Sequence, residues 1–120
     1  MKVLIIAREF PVKHRDILIS SLLPQNFKTY YVTWNRHGRS DIPTENTFVF
    51  TKKIKNLRSL KFLLIIKKYI LFIDKIISEK NPQLLIISHY SLYLPFLILS
   101  KKKGIRVILD VHDLPSFNNI

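Results

Sequence analysis

Short apolar runs alternate with helix-like stretches along the whole chain. Five of these runs are rich in branched or aromatic residues and continuous enough for strands that are covered on both faces. In chain order the predicted strands are Val3–Ala7, Tyr30–Trp34, Thr47–Thr51, Leu84–Ile87 and Arg106–Asp110. Because near-continuous hydrophobic strands alternate with helices, the pattern predicts an α/β fold, a doubly wound parallel sheet of about five strands.

Three stretches between the predicted strands have helical spacing: Asp16–Leu23, Asn56–Lys80 and Ser91–Lys103. Pro24 and Pro82 end the first two, and Gly104 suits the left-handed position after the third. Helices on both faces of the sheet make the expected fold Rossmann-like. Residues 1–120 suffice for one domain. Since open doubly wound sheets usually continue past a fifth strand, we expect this chain to be the front part of a larger protein.

The composition excludes several kinds of site. The chain has no cysteine, which rules out disulfides, thiolate metal sites and a cysteine nucleophile. Its two glycines, Gly38 and Gly104, are too far apart for a dinucleotide fingerprint or a phosphate loop. We therefore expect no cofactor to be bound by this chain.

The charge is strongly positive. Twenty Lys and Arg against eight Asp and Glu give a formal net charge of +12, which favours an anionic partner. Nucleic acid is one such partner, and aromatic side chains are its usual stacking platforms. Here the aromatics lie within hydrophobic patterns that predict a core, and no nucleic-acid-binding motif is present. These aromatics are Tyr30, Tyr31, Trp34, Phe62, Tyr69 and Phe72. Nucleic acid is thus the less favoured partner.

No apolar run approaches the roughly 20 residues that a membrane-spanning helix needs. The hydrophobic region of a signal peptide has roughly 7 to 15 residues. The apolar run after Met1-Lys2 is shorter than this. We expect the protein to lie in the cytoplasm, with peripheral attachment to the inner face of the cell membrane as an open alternative.

The long predicted helix carries a mixed basic and apolar stripe. Lys61, Lys68 and Lys75 recur every seven residues, and Leu64 and Leu71 lie between them along the chain and on the same side of the helical wheel. Lysines that flank exposed leucines suit an anionic bilayer surface. A core helix with a lysine-rich solvated face has the same pattern, so the sequence leaves both interpretations open.

Polar side chains follow predicted strands 1, 4 and 5, whose carboxyl ends should meet at the edge where open α/β sheets bind ligands. Three of the four histidines lie there, His14, His89 and His112. A single histidine after a strand is more often structural, but the convergence of three loops favours a ligand site. The other candidates in these loops are Arg8, Tyr90 and Asp113.

Two other chemistries for this edge are weaker. A metal site would have too few ligands, since only Asp110, His112 and Asp113 are available and no further ligand lies at suitable spacing. A Ser-His-Asp hydrolase needs a Gly-x-Ser-x-Gly elbow, which the chain lacks. We expect no metal.

Three segments resemble the N-terminal domain of GT-B glycosyltransferases, specifically the family-4-like retaining enzymes: Lys2–Pro11, Asn81–His89 and Gly104–Pro115. The resemblance covers nearly the whole chain. Its most specific features are a strand that ends near His89 and a glycine-led strand that ends in the His112-Asp113 pair.

This resemblance implies transfer of a sugar from a nucleotide-sugar donor to a glycan or lipid-linked acceptor, as in the synthesis of cell-envelope polysaccharides. By position, His112 would line the transfer cleft with Asp113 beside it, as the catalytic residues. The resemblance places the acceptor mainly on this domain, where the substrate-binding residues would be Arg8, His14, His89 and Tyr90.

The resemblance assigns the donor mainly to a second domain, which we expect to lie outside residues 1–120. The loop after the first strand commonly carries glycines in the family, whereas residues 8–15 contain none. We therefore expect the chain to be inactive alone. The alternative is a non-catalytic interaction module that docks on a separate donor-binding chain or on an anionic membrane surface.

Overall fold

The computed structural model describes residues 1–7, 10–12, 14–36, 38–51, 60–88, 101 and 104–109, with only the backbone for 14–16 and 60–62. The helices and strands with defined bounds are β1 Lys2–Ile6, α1 His14–Ser21, β2 Lys28–Trp34, β3 Thr47–Phe50, α2 Leu60–Lys80, β4 Leu84–Ile87 and β5 Arg106–Leu109. Their order confirms the predicted alternation of strands and helices.

The five strands form one parallel sheet in the order β3-β2-β1-β4-β5. From β1 the chain builds β2 and β3 on one side, then crosses through α2 to place β4 and β5 on the other. Since β1 is the central strand, Val3–Ile6 is fully buried, which explains its continuous apolar run. The predicted α/β fold with a parallel, Rossmann-like sheet is confirmed.

Some strand boundaries differ from the predicted ones. β2 begins at Lys28, two residues before the expected Tyr30, because the Lys28 N–H donates to the Met1 carbonyl (2.9 Å). β1 likewise begins one residue early, at Lys2, which pairs with Lys28. β3 ends one residue early, and β4 has the predicted bounds. Pairing with a neighbouring strand thus extends two strands past their apolar runs.

The helices also differ from expectation at their ends. α1 begins two residues early and stops before the predicted Leu23. The amide of Leu22 donates to the carbonyl of Ile19 (3.1 Å), a three-residue spacing that tightens the chain after the helix. The predicted start of α2 at 56–59 lies outside the described residues. So does the third predicted helix, apart from Lys101, which is helical.

The larger core cluster lies between the sheet and α2. The helix contributes Tyr69, Ile73, Ile76 and Ile77, whose spacing places them on one side. They pack with side chains of the central strands, namely Leu4, Ile6, Tyr30, Val32, Trp34, Leu85 and Ile87. We call this side of the sheet the α2 face.

The smaller core cluster lies on the opposite side, which we call the α1 face. Its buried members are Val3, Ile5 and Ile86. Partly buried residues of α1, of the connection from α1 to β2 and of the strands pack against them: Ile19, Leu23, Phe27, Tyr31 and Leu84. Successive residues of β1 alternate between the two clusters because side chains alternate along a strand.

The amino-acid sequence ends α2 as predicted. Asn81 adopts a left-handed conformation (φ 50°), and its N–H donates to the Ile77 carbonyl (2.9 Å). The Lys80 ammonium in the last turn lies 5.4 Å from the ring centroid of Tyr30, and its charge also suits the helix C-terminus. Gly104 has φ 69°, which confirms the left-handed conformation predicted there.

Candidate functional site

The carboxyl ends of β1 and β4 lie side by side, at the point where the strand order reverses. The Ser88 N–H donates to the Ile6 carbonyl (3.0 Å), and the Ala7 N–H donates to the Val32 carbonyl (2.9 Å). Pairing therefore continues one residue past the strand ends. We call this rim of the sheet the carboxyl edge. In open α/β sheets, ligands bind in the crevice at this reversal.

Most predicted site residues lie outside the described part of the chain: Arg8, His89, Tyr90, His112 and Asp113. His14 is the first residue of α1, described by its backbone only. In the sequence, Arg8 follows β1 by two residues, His89 follows β4 by two and His112 follows β5 by three. The structure thus brings together the strand ends from which these segments continue.

The described part of the carboxyl edge contains three buried residues with short side chains: Ala7, Thr33 and Ser88. Among the described residues, the Thr33 hydroxyl has no hydrogen-bond partner, which is unusual for a buried polar atom. The sequence predicts Thr33 only as part of the second strand. Its burial could not be predicted, because it depends on the neighbouring strands. No group of three His, Asp or Glu within the described ranges is placed to hold a metal ion.

Hydrogen bonds of Asn35 hold the segment that follows β2 in place. Its backbone N–H donates to the Phe50 carbonyl (2.8 Å), while its side-chain amide donates to the Arg39 carbonyl and accepts from the Arg39 N–H, both at 2.9 Å. Arg39 in turn contacts Asp41 at 2.9 Å, and this hydrogen bond lowers the pKa of the Asp41 carboxyl. The buried Asn35 side chain therefore holds the start of this segment.

Four aromatic rings pack on the α2 face near the ends of β2 and β3. The ring centroids of Trp34 and Tyr69 are 5.1 Å apart, and Phe50 lies 5.3 Å from Tyr69 and 5.5 Å from Phe72. Burial raises the pKa of the Tyr69 hydroxyl above its ordinary value. The Arg36 guanidinium lies 5.9 Å from the Trp34 ring. Of the aromatics predicted to belong to the core, Tyr30, Trp34 and Tyr69 are confirmed as buried. Tyr31 and Phe72 pack partly buried against the core clusters, and the side chain of Phe62 lies outside the described residues.

The basic stripe on α2 consists of Lys61, Leu64, Lys68, Leu71 and Lys75. Leu64 is 62% exposed and Leu71 is 58% exposed, although a large apolar side chain on a packed helix usually faces the core. Lys68 and Lys75 are also exposed, and the side chain of Lys61 lies outside the described residues. The structure thus places four members of the stripe on the solvent side of α2.

Neighbouring residues of α2 alter this surface. Leu63 and Lys67 are exposed and widen the stripe. The Lys75 ammonium lies 4.0 Å from the Glu79 carboxylate, so part of its charge is offset. Asp74 of α2 is half-buried and does not belong to this exposed surface.

Two concave surfaces were not foreseen from the sequence. A cavity of about 290 Å³ opens on the α1 face, beside α1 and the segment before β3. A wider groove of about 1000 Å³ lies between the starts of β4 and β5, at the rim opposite the carboxyl edge. The only sequence signal for the cavity was the presence of apolar residues, such as Phe10 and Ile42, inside predicted loops.

Within the described ranges, neither helix is both long and apolar enough to cross a bilayer. No protein-family model, no curated protein and no solved structure matches this chain. A functional proposal therefore has to rest on the sheet topology, the loop sequences and the exposed surfaces.

Proposed function

We propose that this chain is the acceptor-binding, N-terminal part of a GT-B glycosyltransferase, which transfers a sugar from a nucleotide-sugar donor to a glycan or lipid-linked acceptor. The observation that supports this most is the reversal of strand order between β1 and β4. Parallel sheets with such a reversal bind ligands outside the carboxyl ends of the strands. The segments that carry the sequence resemblance leave the sheet at that edge.

The residue types in these segments suit a sugar acceptor. A histidine side chain both donates and accepts hydrogen bonds, as sugar hydroxyls require, and its protonated form attracts phosphate. In this proposal His112 and Asp113 line the transfer cleft. Arg8, His14, His89 and Tyr90 contact the acceptor, and Arg8 adds a fixed positive charge for an acceptor phosphate.

Donor binding belongs to a second domain, on the same polypeptide or on a partner chain. Residues 8–15, which follow β1, contain no glycine, so a close approach of backbone amides to a diphosphate is disfavoured there. The chain alone is then inactive and needs no cofactor of its own.

Calorimetry with UDP-, GDP- and ADP-sugars tests this division of labour. We expect dissociation constants weaker than about 1 mM for the isolated chain, equivalent to about 4 kcal/mol of binding. In the enzyme completed by its donor-binding domain, His112→Ala should lower turnover about 10- to 1000-fold, with little change in thermal stability.

Micromolar binding of any of these donors would contradict the assignment of the donor to another domain. Unchanged turnover of His112→Ala, together with a large fall in melting temperature, would show a structural histidine instead. Lys28→Gln, at the opposite rim of the sheet, is the control and should leave turnover unchanged.

The exposed leucines of α2 favour a second candidate function, peripheral attachment to an anionic membrane surface. Leu64 and Leu71 lie on the same exposed side of α2 as Lys68 and Lys75, so apolar and cationic groups face the same way. Each lysine near an anionic bilayer contributes about 1 kcal/mol, and buried leucines add a hydrophobic contribution. Nucleic acid offers the leucines less apolar surface to cover them.

Sedimentation with lipid vesicles tests this attachment. The protein should bind phosphatidylcholine vesicles that contain phosphatidylglycerol, and not those of phosphatidylcholine alone. Replacing Lys61, Lys68 and Lys75 with glutamine should weaken binding about 100-fold, since three lysines contribute about 3 kcal/mol. Replacing Lys28, Lys101 and Arg106 with glutamine removes the same charge elsewhere and should have a much smaller effect.

Salt and the leucines separate the two contributions to binding. Raising the salt from 0.1 M to 1 M shortens the screening length from about 10 Å to about 3 Å and should weaken binding. Leu64→Ser with Leu71→Ser should weaken it further at high salt, whereas Leu22→Ser, just after α1, should not. Equal binding to neutral and anionic vesicles, or equal effects of the two lysine sets, would contradict the proposal.

A further inference from the structure

The cavity on the α1 face is lined by three separate segments of the chain. Its volume is about 290 Å³. Most of its wall consists of the apolar side chains Phe10, Pro11, Val12, Ile17, Ile42 and Pro43. Tyr31 of β2 and Thr47 of β3 also contribute to the lining. A cavity with mainly apolar walls at the junction of several segments is the usual form of a small-molecule site.

The hydroxyl groups at the cavity are already paired within the protein. The Tyr31 hydroxyl donates to the Ser20 Oγ (2.6 Å), and the Ser20 hydroxyl donates to the Ile17 carbonyl (2.6 Å). The Thr44 and Thr47 hydroxyl oxygens share a hydrogen bond of 2.6 Å. A polar ligand would have to compete with these bonds. An apolar ligand leaves them intact, so the lining selects for apolar groups.

Ile42, Pro43 and Thr44 form the outer wall of the cavity, and the segment that carries them is anchored at both ends. Asn35 holds Arg39 at one end, and Thr44 bonds to Thr47 at the start of β3 at the other. Between these anchors Ile42 is 91% exposed, beside the mouth of the cavity. The cavity is therefore formed before any ligand arrives, which lowers the entropic cost of binding. The exposed Ile42 gains contacts when a ligand covers it.

The size and wall chemistry define the ligand. An apolar cavity of about 150 Å³ holds one benzene molecule of six carbons, so about 290 Å³ holds about twelve. Two aromatic rings line the cavity: Phe10 is buried, and Tyr31 is half-buried with its hydroxyl bonded to Ser20. The most exposed apolar side chains of the wall, such as Ile17 and Ile42, are aliphatic. A flexible chain follows such a wall better than a rigid ring. We propose that this cavity binds an aliphatic chain of about ten to twelve carbons.

A series of uncharged n-alkyl alcohols from six to fourteen carbons tests the proposal. Binding is followed by NMR of the isoleucine methyl groups, below the solubility limit of each alcohol. Affinity should rise about fourfold for each added methylene, which is about 0.8 kcal/mol. The rise should stop at about twelve carbons, when the cavity is full. Adsorption to an open surface has no such limit.

Substitutions at the cavity provide the second part of the test. Ile42→Ser should weaken binding about tenfold without unfolding, since this side chain is exposed. Ile17→Phe should move the limit to shorter chains by filling part of the volume. Leu22→Ser, at a residue 79% exposed on the chain just after α1, is the matched control and should bind like the unchanged protein.

Three outcomes would overturn the proposal: no saturable binding of any alcohol, affinity that rises through fourteen carbons without a limit, or equal weakening by Ile42→Ser and Leu22→Ser. The assay contains no sugar, nucleotide or vesicle. Its failure therefore leaves the glycosyltransferase and membrane proposals standing, and failure of those proposals does not affect the cavity.

Discussion

The α2 face and the α1 face of the sheet differ in how completely they are packed. On the α2 face, four buried residues of α2 contact seven buried residues of the strands. On the α1 face, only three of the described strand residues are buried in the cluster. Ile19 of α1 packs against them partly buried, and a cavity lies beside the helix. Among the described residues, the α2 face therefore buries more apolar surface and contributes more to stability. The α1 face has spare volume, which suits a ligand.

The largest effect that separates the two faces should come from shortening a core isoleucine. Ile73→Ala on α2 should lower the free energy of unfolding by about 2 to 5 kcal/mol, because the side chain is fully buried. Ile19→Ala on α1 should cost less than about 2 kcal/mol, since the side chain is partly exposed. Urea unfolding measures both. Equal costs would mean that the faces are equally well packed.

Alkaline pH should weaken the α2 face through Tyr69. Burial raises the pKa of its hydroxyl in the folded state, so the unfolded chain loses this proton first as the pH rises. Below about pH 10 Tyr69 is protonated in both states, and the stability that the protonated side chain contributes is fully present. It then falls by about 1.4 kcal/mol for each pH unit until the folded hydroxyl also ionises.

Comparison with Tyr69→Phe isolates this loss from the titration of the lysines. The difference in unfolding free energy between the two proteins should change above about pH 10, in favour of the phenylalanine variant. Parallel curves from pH 9 to pH 11 would show that Tyr69 ionises equally easily in both states, and that its surroundings are more open than the fold indicates.

A smaller effect is expected for the hydrogen bond that links α1 to β2. Tyr31→Phe removes the 2.6 Å bond to Ser20 and should cost about 1 kcal/mol. Ser20→Ala should cost a similar amount, and the double variant should cost clearly less than the sum, because both changes remove the same bond. Strict additivity would show that the bond contributes nothing to holding α1 on the sheet.

The central sheet could be predicted from the sequence because its signal is local. A short, continuous and branched run such as Val3–Ile6 is typical of a strand with both faces covered, and Asn81-Pro82 is a local stop for a helix. The start of β2 was missed because it depends on the Met1 carbonyl, which pairs with Lys28 across the sheet. Strand ends are decided by the neighbouring strand as well as by the run itself.

The cavity could not be predicted because its walls are distant in the sequence. Phe10 and Ile42 belong to different loops, and no local pattern shows that they line one volume. The exposure of Leu64 and Leu71 was foreseen only as one of two alternatives, since a helical wheel does not show which side a sheet covers. The histidines at the carboxyl edge remain a prediction from strand order, because their side chains lie outside the described residues.

Amide NMR of the isolated chain tests most directly whether a sugar acceptor binds at the carboxyl edge. The probe is a library of free oligosaccharides with hexose, N-acetylhexosamine and deoxyhexose termini, added in pools. Binding should shift the amide signals of Ala7 and Ser88, where β1 and β4 meet, and leave those of Gln83 and Gly104 at the opposite rim unchanged. Shifts at Gln83 and Gly104 alone, or none with any pool, would contradict an acceptor site at this edge.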